Sequence, residues 1–419
     1  MNWTLLLIPL ISGVIGYVTN FAGIKMLFYP VAFFGFRLPG LSEVAQLLPR
    51  RFQNVPGVLT GRVGWQGVIP SRAAKMGSIA VDKGIAKLGS PAEFYEKLDP
   101  DVIAAHIVAT TADEVRDLVE RTIEREHPTL WRDTPPRVRA MIHRRVQEQL
   151  PDIVRTVTND IGVHIDQLLD IKLMVIRHIE ADPNLANRIF LEVGKKELQF
   201  VINSGFVLGT ALGIPVLIVQ QLVDSPWVLP FAGIVVGYLT NWIALKVIFE
   251  PPVPRRVGPF TLHGLFIRRQ AEVADVYATI IAEDIVNLAN IGTELTTGAR
   301  ADRTRDMIAN ALRPAVDRAI GPAAGALRVA VGAEEYDAIK DSVADEAISY
   351  TMTPLSDAGF NEQQSHAIHA LLRERMIELP PDDFGDMLRS AIQEDEWMLI
   401  LIGSVLGFAA GCLQMLTVL

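Results

Sequence analysis

Four stretches of this chain stay apolar long enough to cross a bilayer. Spanning the roughly 30 Å hydrocarbon core takes about 20 mostly apolar residues in a helix. Windows 3–28, 200–222, 227–249 and 397–419 meet that requirement. Backbone in hydrocarbon must satisfy its own hydrogen bonds, so each window reads as a transmembrane helix. Only Val223-Asp224-Ser225-Pro226, a polar turn with a proline stop, separates the second window from the third, which makes those two a helical hairpin. Stretches 29–199 and 250–396 are polar enough to be solvated domains. Composition agrees: 50% of the 419 residues are hydrophobic while 21% are charged, a mixture uncommon in a soluble globule. The N-terminus lacks a basic leader and an A-x-A site, and its apolar run is longer than a signal-peptide core, so it reads as a retained anchor.

Lysine and arginine near the span ends set the orientation. Lys25 stands at the end of the first window with Arg37, Arg50 and Arg51 after it, and Lys246 at the end of the third with Arg255, Arg256, Arg268 and Arg269 after it. The N-terminal stub, the hairpin turn and the C-terminus carry none. Both large domains are therefore expected in the cytoplasm, with both termini and the turn outside.

The first and third windows are versions of one sequence. GYVTNFAGIKMLFYP runs from Gly16 to Pro30 and GYLTNWIALKVIFEP from Gly237 to Pro251. Tyr17, Thr19, Asn20, Lys25 and Pro30 recur in order and spacing as Tyr238, Thr240, Asn241, Lys246 and Pro251. GVIPSR from Gly67 is similar to GLFIRR from Gly264. The closing spans match too, with glycine every fourth residue at Gly205, Gly209 and Gly213, then at Gly403, Gly407 and Gly411. Gly233 and Gly237 stand where the first window has Ser12 and Gly16. Small residues at this spacing make a glycine-zipper groove in which helix backbones approach closely, within one chain or between two copies. Each unit has an even number of spans, so the copies run parallel about a pseudo-twofold axis along the membrane normal. Repeat 1 covers 1–225, with domain 29–199, and repeat 2 covers 226–419, with domain 250–396.

The GYxTNxxAxKxxFxP signature, the G-x-I-P-x-R element, the run VHIDQLLDIKLMV and the re-entry VGKKELQFVINSGFVLG resemble the DUF445 family of bacterial membrane proteins, which includes the UPF0754 proteins. The resemblance covers essentially the whole chain; the first copy departs at Phe21, where the second has Trp242, and at Gly23, the alanine position of the signature. It implies a bacterial cytoplasmic membrane. The family's function is unknown, so it implies no chemistry.

Between the spans the periodicity is helical, with no convincing strands. Asp101–Arg125 reads as one helical run. From Arg137 to about His178, Ile142, Val146, Leu150, Ile153, Val157, Ile161, Ile165 and Leu168 form one stripe, compatible with a long helix or a coiled-coil-like hairpin. Asp182-Pro183-Asn184 interrupts it. The second domain reads as helices 301–312, 334–351, 361–378 and 382–393. Connector 30–71 mixes aromatics with arginines. Arg37, Arg50 and Arg51, with Arg255 and Arg256 in the second copy, suit lipid headgroups; equally, the connector packs on its own domain.

Thr19-Asn20 and Thr240-Asn241 are the polar pairs inside apolar runs. An amide facing lipid tails is costly, so each must face protein or a wet cavity. Either they bond across the pseudo-twofold axis and fix helix pairing, or Asn20 and Asn241 line a substrate or ion path. Lys25 and Lys246 read as orientation anchors or as ligands of a lipid phosphate. His366 and His369 share a helix face without a third ligand nearby, so no metal is expected. The net charge of −9 argues against nucleic acid, and the single Cys412 leaves no disulfide framework or cysteine metal site. No Walker A loop, G-x-S-x-G elbow, H-E-x-x-H or dinucleotide fingerprint occurs, so no catalytic residue or cofactor is assigned. The expected protein is all-α and polytopic: four transmembrane helices in two parallel repeats, each with a helical cytoplasmic domain. It is expected to be non-enzymatic, an envelope scaffold or lipid-contacting assembly with membrane lipids, its own copies or other envelope proteins as partners. A transport module around the Thr-Asn sites is the alternative, then a lipid enzyme.

Overall fold

The computed structural model describes residues 7–37 and 62–418, apart from 113, 127, 224, 322–323, 326–327, 330–331 and 394–395. It is almost wholly helical. Four helices are long and apolar enough to cross a membrane: α1 (Ile8–Phe28), α2 (Lys195–Leu222), α3 (Val228–Phe249) and α4 (Glu396–Val418). α2 begins at Lys195, earlier than the apolar window, because a helix can open on a charged turn that hydropathy excludes. By contacts the chain forms two compact units, 1–87 with 176–277 and 376–419, and 88–175 with 278–375. Each unit draws on both halves of the sequence.

In the first unit α1 packs along α2 and α3 along α4, backbone against backbone. A Cβ on Gly16 or Gly205 would strike the other's carbonyl, and one on Gly237 or Gly403 would do the same in the second pair. Gly209 and Gly213 extend the first contact against Ser12, Gly13 and Pro9; Gly233, Gly407 and Gly411 extend the second. Each pair is tied again at its polar end. The Asn187 amide donates to the Phe28 carbonyl at 2.7 Å, and Arg389 reaches Glu396 at 2.9 Å and Glu250 at 3.2 Å. These bonds link the exit of the entering span to the helix that precedes the returning one.

Short hairpins follow α1 and α3, against the expectation of no strands. β1 (Phe34–Arg37) pairs antiparallel with β2 (Arg62–Trp65), and β3 (Arg255–Val257) with β4 (Phe260–Leu262). Three or four residues are too few for alternation to show, and β1 meets its partner only across a long connector. The Gly67 amide donates to the Pro30 carbonyl and the Gly264 amide to that of Pro251, each at 2.9 Å. The following helix turns, Val68–Ser71 and Leu265–Arg268, are thereby brought beneath the spans. Arg50 and Arg51 lie outside the described residues.

The second unit is a helical bundle. The expected run 101–125 is two helices, Pro100–Thr111 and Glu114–Glu126. The long stripe lies on a single helix of 33 residues, Pro136–Leu168, and not on a hairpin. Arg300 donates to the Asp166 and Leu169 carbonyls at 2.9 and 3.2 Å, satisfying groups a helix end leaves unpaired. Leu288–Thr297, Ala301–Ile320 and Ala333–Leu355 pack alongside.

The two glycine contacts give a contrast that thermal melting in detergent can check. Gly205→Ala and Gly403→Ala each force a backbone to retreat, and overpacking of this kind costs about 1–3 kcal/mol. Gly23→Ala meets only an Ile402 methyl at 3.8 Å, so it leaves melting unchanged or raises it slightly. Equal melting of all three variants would contradict the close approach.

Candidate functional site

Asn20 and Asn241 lie on facing helices in the first unit, 2% and 6% exposed. Neither bonds to the other. The Asn20 Nδ2 donates to the Val201 carbonyl of α2 at 2.7 Å, and the Asn241 Nδ2 to the Leu399 carbonyl of α4 at 2.9 Å. The amides therefore lock α1 to α2 and α3 to α4, and do not bond to each other. Gly205 and Gly403 make room: a Cβ on either would meet the amide nitrogen of Asn20 or Asn241. The Thr19 and Thr240 hydroxyls turn back on their own helices, to Gly16 O at 3.1 Å and Gly237 O at 3.3 Å.

Both asparagines border one cavity of about 130 Å³. Its walls are apolar, built from Ile24, Leu27, Ile189, Phe190, Leu245 and Ile248 among others. The third polar residue that borders it, and carries charge, is Glu197 in the first turn of α2, only 1% exposed. Glu197 Oε1 accepts from Arg269 Nη1 at 2.6 Å. Its Oε2 and the Asn20 Oδ1 have no protein partner among the described residues. A burial this deep is tolerable because the carboxylate is paired. Arg269 also donates to Glu272, which receives Lys196 as well. Those bonds hold Glu272 down at about 2, and the bonds from Arg269 to Glu272 and Glu197 hold its guanidinium above the ordinary value. Tyr277 closes another side; burial pushes its phenol up, so it stays protonated. Its hydroxyl sits over Gly84 within the π-helical turn Ala80–Ile85, a geometry often found at functional sites.

The site thus offers apolar walls and two unfilled acceptors. It suits an amphiphile with a donor-bearing head. A separate space of about 20 Å³ lies beside Ser12, Thr19 and Thr240, room for roughly one water.

Glu197 escaped the sequence reading, yet a signal was there. Residues 197, 201, 205, 209 and 213 fall every fourth position, so the acid stands on the stripe that carries the glycines. Tyr17 and Tyr238 are exposed, as are Lys25 and Lys246. Lys25 Nζ sits 5.0 Å from the Tyr29 ring centre and Lys246 Nζ 5.2 Å from that of Trp242. Arg255 and Arg256 are exposed beside β4, and Phe34 and Phe36 are exposed on β1. No group of three metal-ligating side chains forms among the described residues.

The second unit holds its own cavity of about 510 Å³. At roughly 24 cal/mol per Å³, a dry sealed void of that size would cost about 12 kcal/mol, comparable to the whole stability of a domain.

Against known proteins, the chain matches no family model, no curated protein and no solved structure.

The ion pair makes a direct prediction. Arg269→Met leaves Glu197 buried and unpaired, a loss of about 3–5 kcal/mol, while Arg269→Met with Glu197→Leu recovers most of it in the same melting assay. The folded value of Glu272 lies below its ordinary 4.5. Its contribution is therefore present above pH 4.5 and fades as pH falls toward 2. A Glu272→Gln variant should flatten the acid limb of the melting profile over that window.

Proposed function

We propose that this chain is a bacterial cytoplasmic-membrane protein of the DUF445 type that binds membrane amphiphiles without transforming them. The observation that carries the reading is the cavity bordered by Asn20, Asn241 and Glu197. It joins hydrocarbon walls to acceptors that an ammonium, hydroxyl or amide head would fill. In this reading the chain is a parallel duplication, with the helical domains in the cytoplasm and both termini outside. The corresponding bonds Asn20 to Val201 and Asn241 to Leu399 support the duplication. Exposed Lys25 and Lys246 support the orientation through their charge, and the aromatic rings beside them suit the headgroup layer. The hairpins add to it, with Phe34 and Phe36 on one and Arg255 and Arg256 on the other. Lipid is favoured over a second copy as the partner because the glycine faces are already used within the chain.

Conduction is the second reading, favoured by two asparagines on one cavity. The small space beside Thr19 and Thr240, separate from that cavity and with room for about one water, weighs against a hydrated path.

Native mass spectrometry on protein released from membranes tests the proposal. The wild type should retain phospholipid, and Glu197→Leu or the pair Asn20→Leu with Asn241→Leu should lose an adduct. Wild type free of lipid, or equal retention by folded variants, would overturn it.

A further inference from the structure

The second unit has no part in the Asn20–Asn241 site, and its interior has a different character. Eight aliphatic side chains line its cavity from the single helix Pro136–Leu168, among them Ile142, Val146, Leu150, Ile153, Val157 and Ile161. Spaced at three and four residues, Ile142 to Ile161 extend about 28 Å along the helix axis at 1.5 Å per residue. The void is therefore long. Its volume of about 510 Å³ is more than three times the roughly 150 Å³ that accepts one benzene. By carbon count that is room for an alkyl chain of about eighteen carbons.

The wall chemistry excludes other occupants. Four of the hydroxyls that border the cavity are already engaged. Tyr95 donates to the Thr158 carbonyl at 3.0 Å, Thr158 to Val154 O at 3.0 Å, Thr111 to Ile107 O at 2.7 Å and Tyr336 to Asp317 at 2.7 Å. Both tyrosines are pushed up by burial and stay neutral. Lys340, beside Tyr336, is held by Asp337 at 3.0 Å and Asp317 at 3.5 Å. Water inside would lack the two to four polar partners it needs, and a carboxylate would find no free cation in the lining. A long chain of methylenes loses nothing on entering such walls and removes the void.

We infer that the cavity of the second unit holds the acyl chain of a bilayer phospholipid, with the headgroup left outside. Phospholipid is the source because four bilayer-length helices keep this chain among such lipids. The inference stands apart from the occupant of the Asn20–Asn241 cavity, since its residues lie wholly in the other unit.

Photolabelling of the full-length protein decides it. The protein is placed in nanodiscs containing phosphatidylglycerol with a diazirine at the acyl terminus, irradiated, digested and mapped. The expected result is crosslinks on peptides carrying Ile142 to Ile161. These should be lost in both Val157→Phe and Ala315→Phe, which fill the cavity from two helices, while crosslinks on α1 to α4 persist as the control for folding and reconstitution. Crosslinks in the wild type confined to the four spans would overturn the inference. So would undiminished labelling of Ile142 to Ile161 in both variants. Labelling there by a diazirine fatty acid but not by the phospholipid would overturn phospholipid as the occupant. Because crosslinks on Ile24 or Ile189 report the first cavity separately, either site can fail alone.

Discussion

Backbone meets backbone where Gly16 faces Gly205 and where Gly237 faces Gly403, and the rest of the first unit depends on that closeness. Between apolar helices in lipid there is no hydrophobic drive to associate, so pairing rests on van der Waals contact and hydrogen bonds. At these two points the missing Cβ supplies both. It lets the helices touch, and it brings the Asn20 and Asn241 amides within reach of carbonyls on the neighbouring helix. A larger residue at Gly205 would displace the helix and the amide together. The cavity beyond the asparagines is therefore fixed by the same contact that holds each pair.

A second constraint sits at the polar end of α2. Glu197 is buried, and removing Arg269 would leave it without the cation that balances it. Its bond to Arg269 ties the start of α2 to the helix turn after the second hairpin. The hydrogen bonds from Arg269 and Lys196 to Glu272 keep that cation in place. The same ion pair that secures the returning span thus sets the polarity of the cavity mouth. Structure and ligand chemistry converge on one side chain there.

Much of this was legible in the sequence because bilayer thickness imposes a length. The four apolar windows fall on the four helices long and apolar enough to cross a membrane, and the glycines stand where α1 meets α2 and α3 meets α4. The stripe Ile142 to Leu168 announced a helix, but not that its apolar face borders a cavity; periodicity reports burial and says nothing of what fills the space beside it. The hairpins were illegible for want of length. Glu197 was passed over because an acid at a span's first turn looks like an interfacial charge. Only the four-residue spacing from Glu197 to Gly205 and Gly209 showed that it must face inward. The direction of the asparagine bonds depends on where α2 and α4 lie, which no local pattern in α1 or α3 encodes.

The measurement that bears most directly on the central claim is a cryo-EM map of the protein in lipid nanodiscs, inspected around Asn20, Asn241 and Glu197. Amphiphile binding predicts density with a polar end against Glu197 Oε2 and Asn20 Oδ1 and a tail along Ile24, Leu245 and Ile248. A continuous water-filled passage running from that cavity past Thr19 and Thr240 would contradict it.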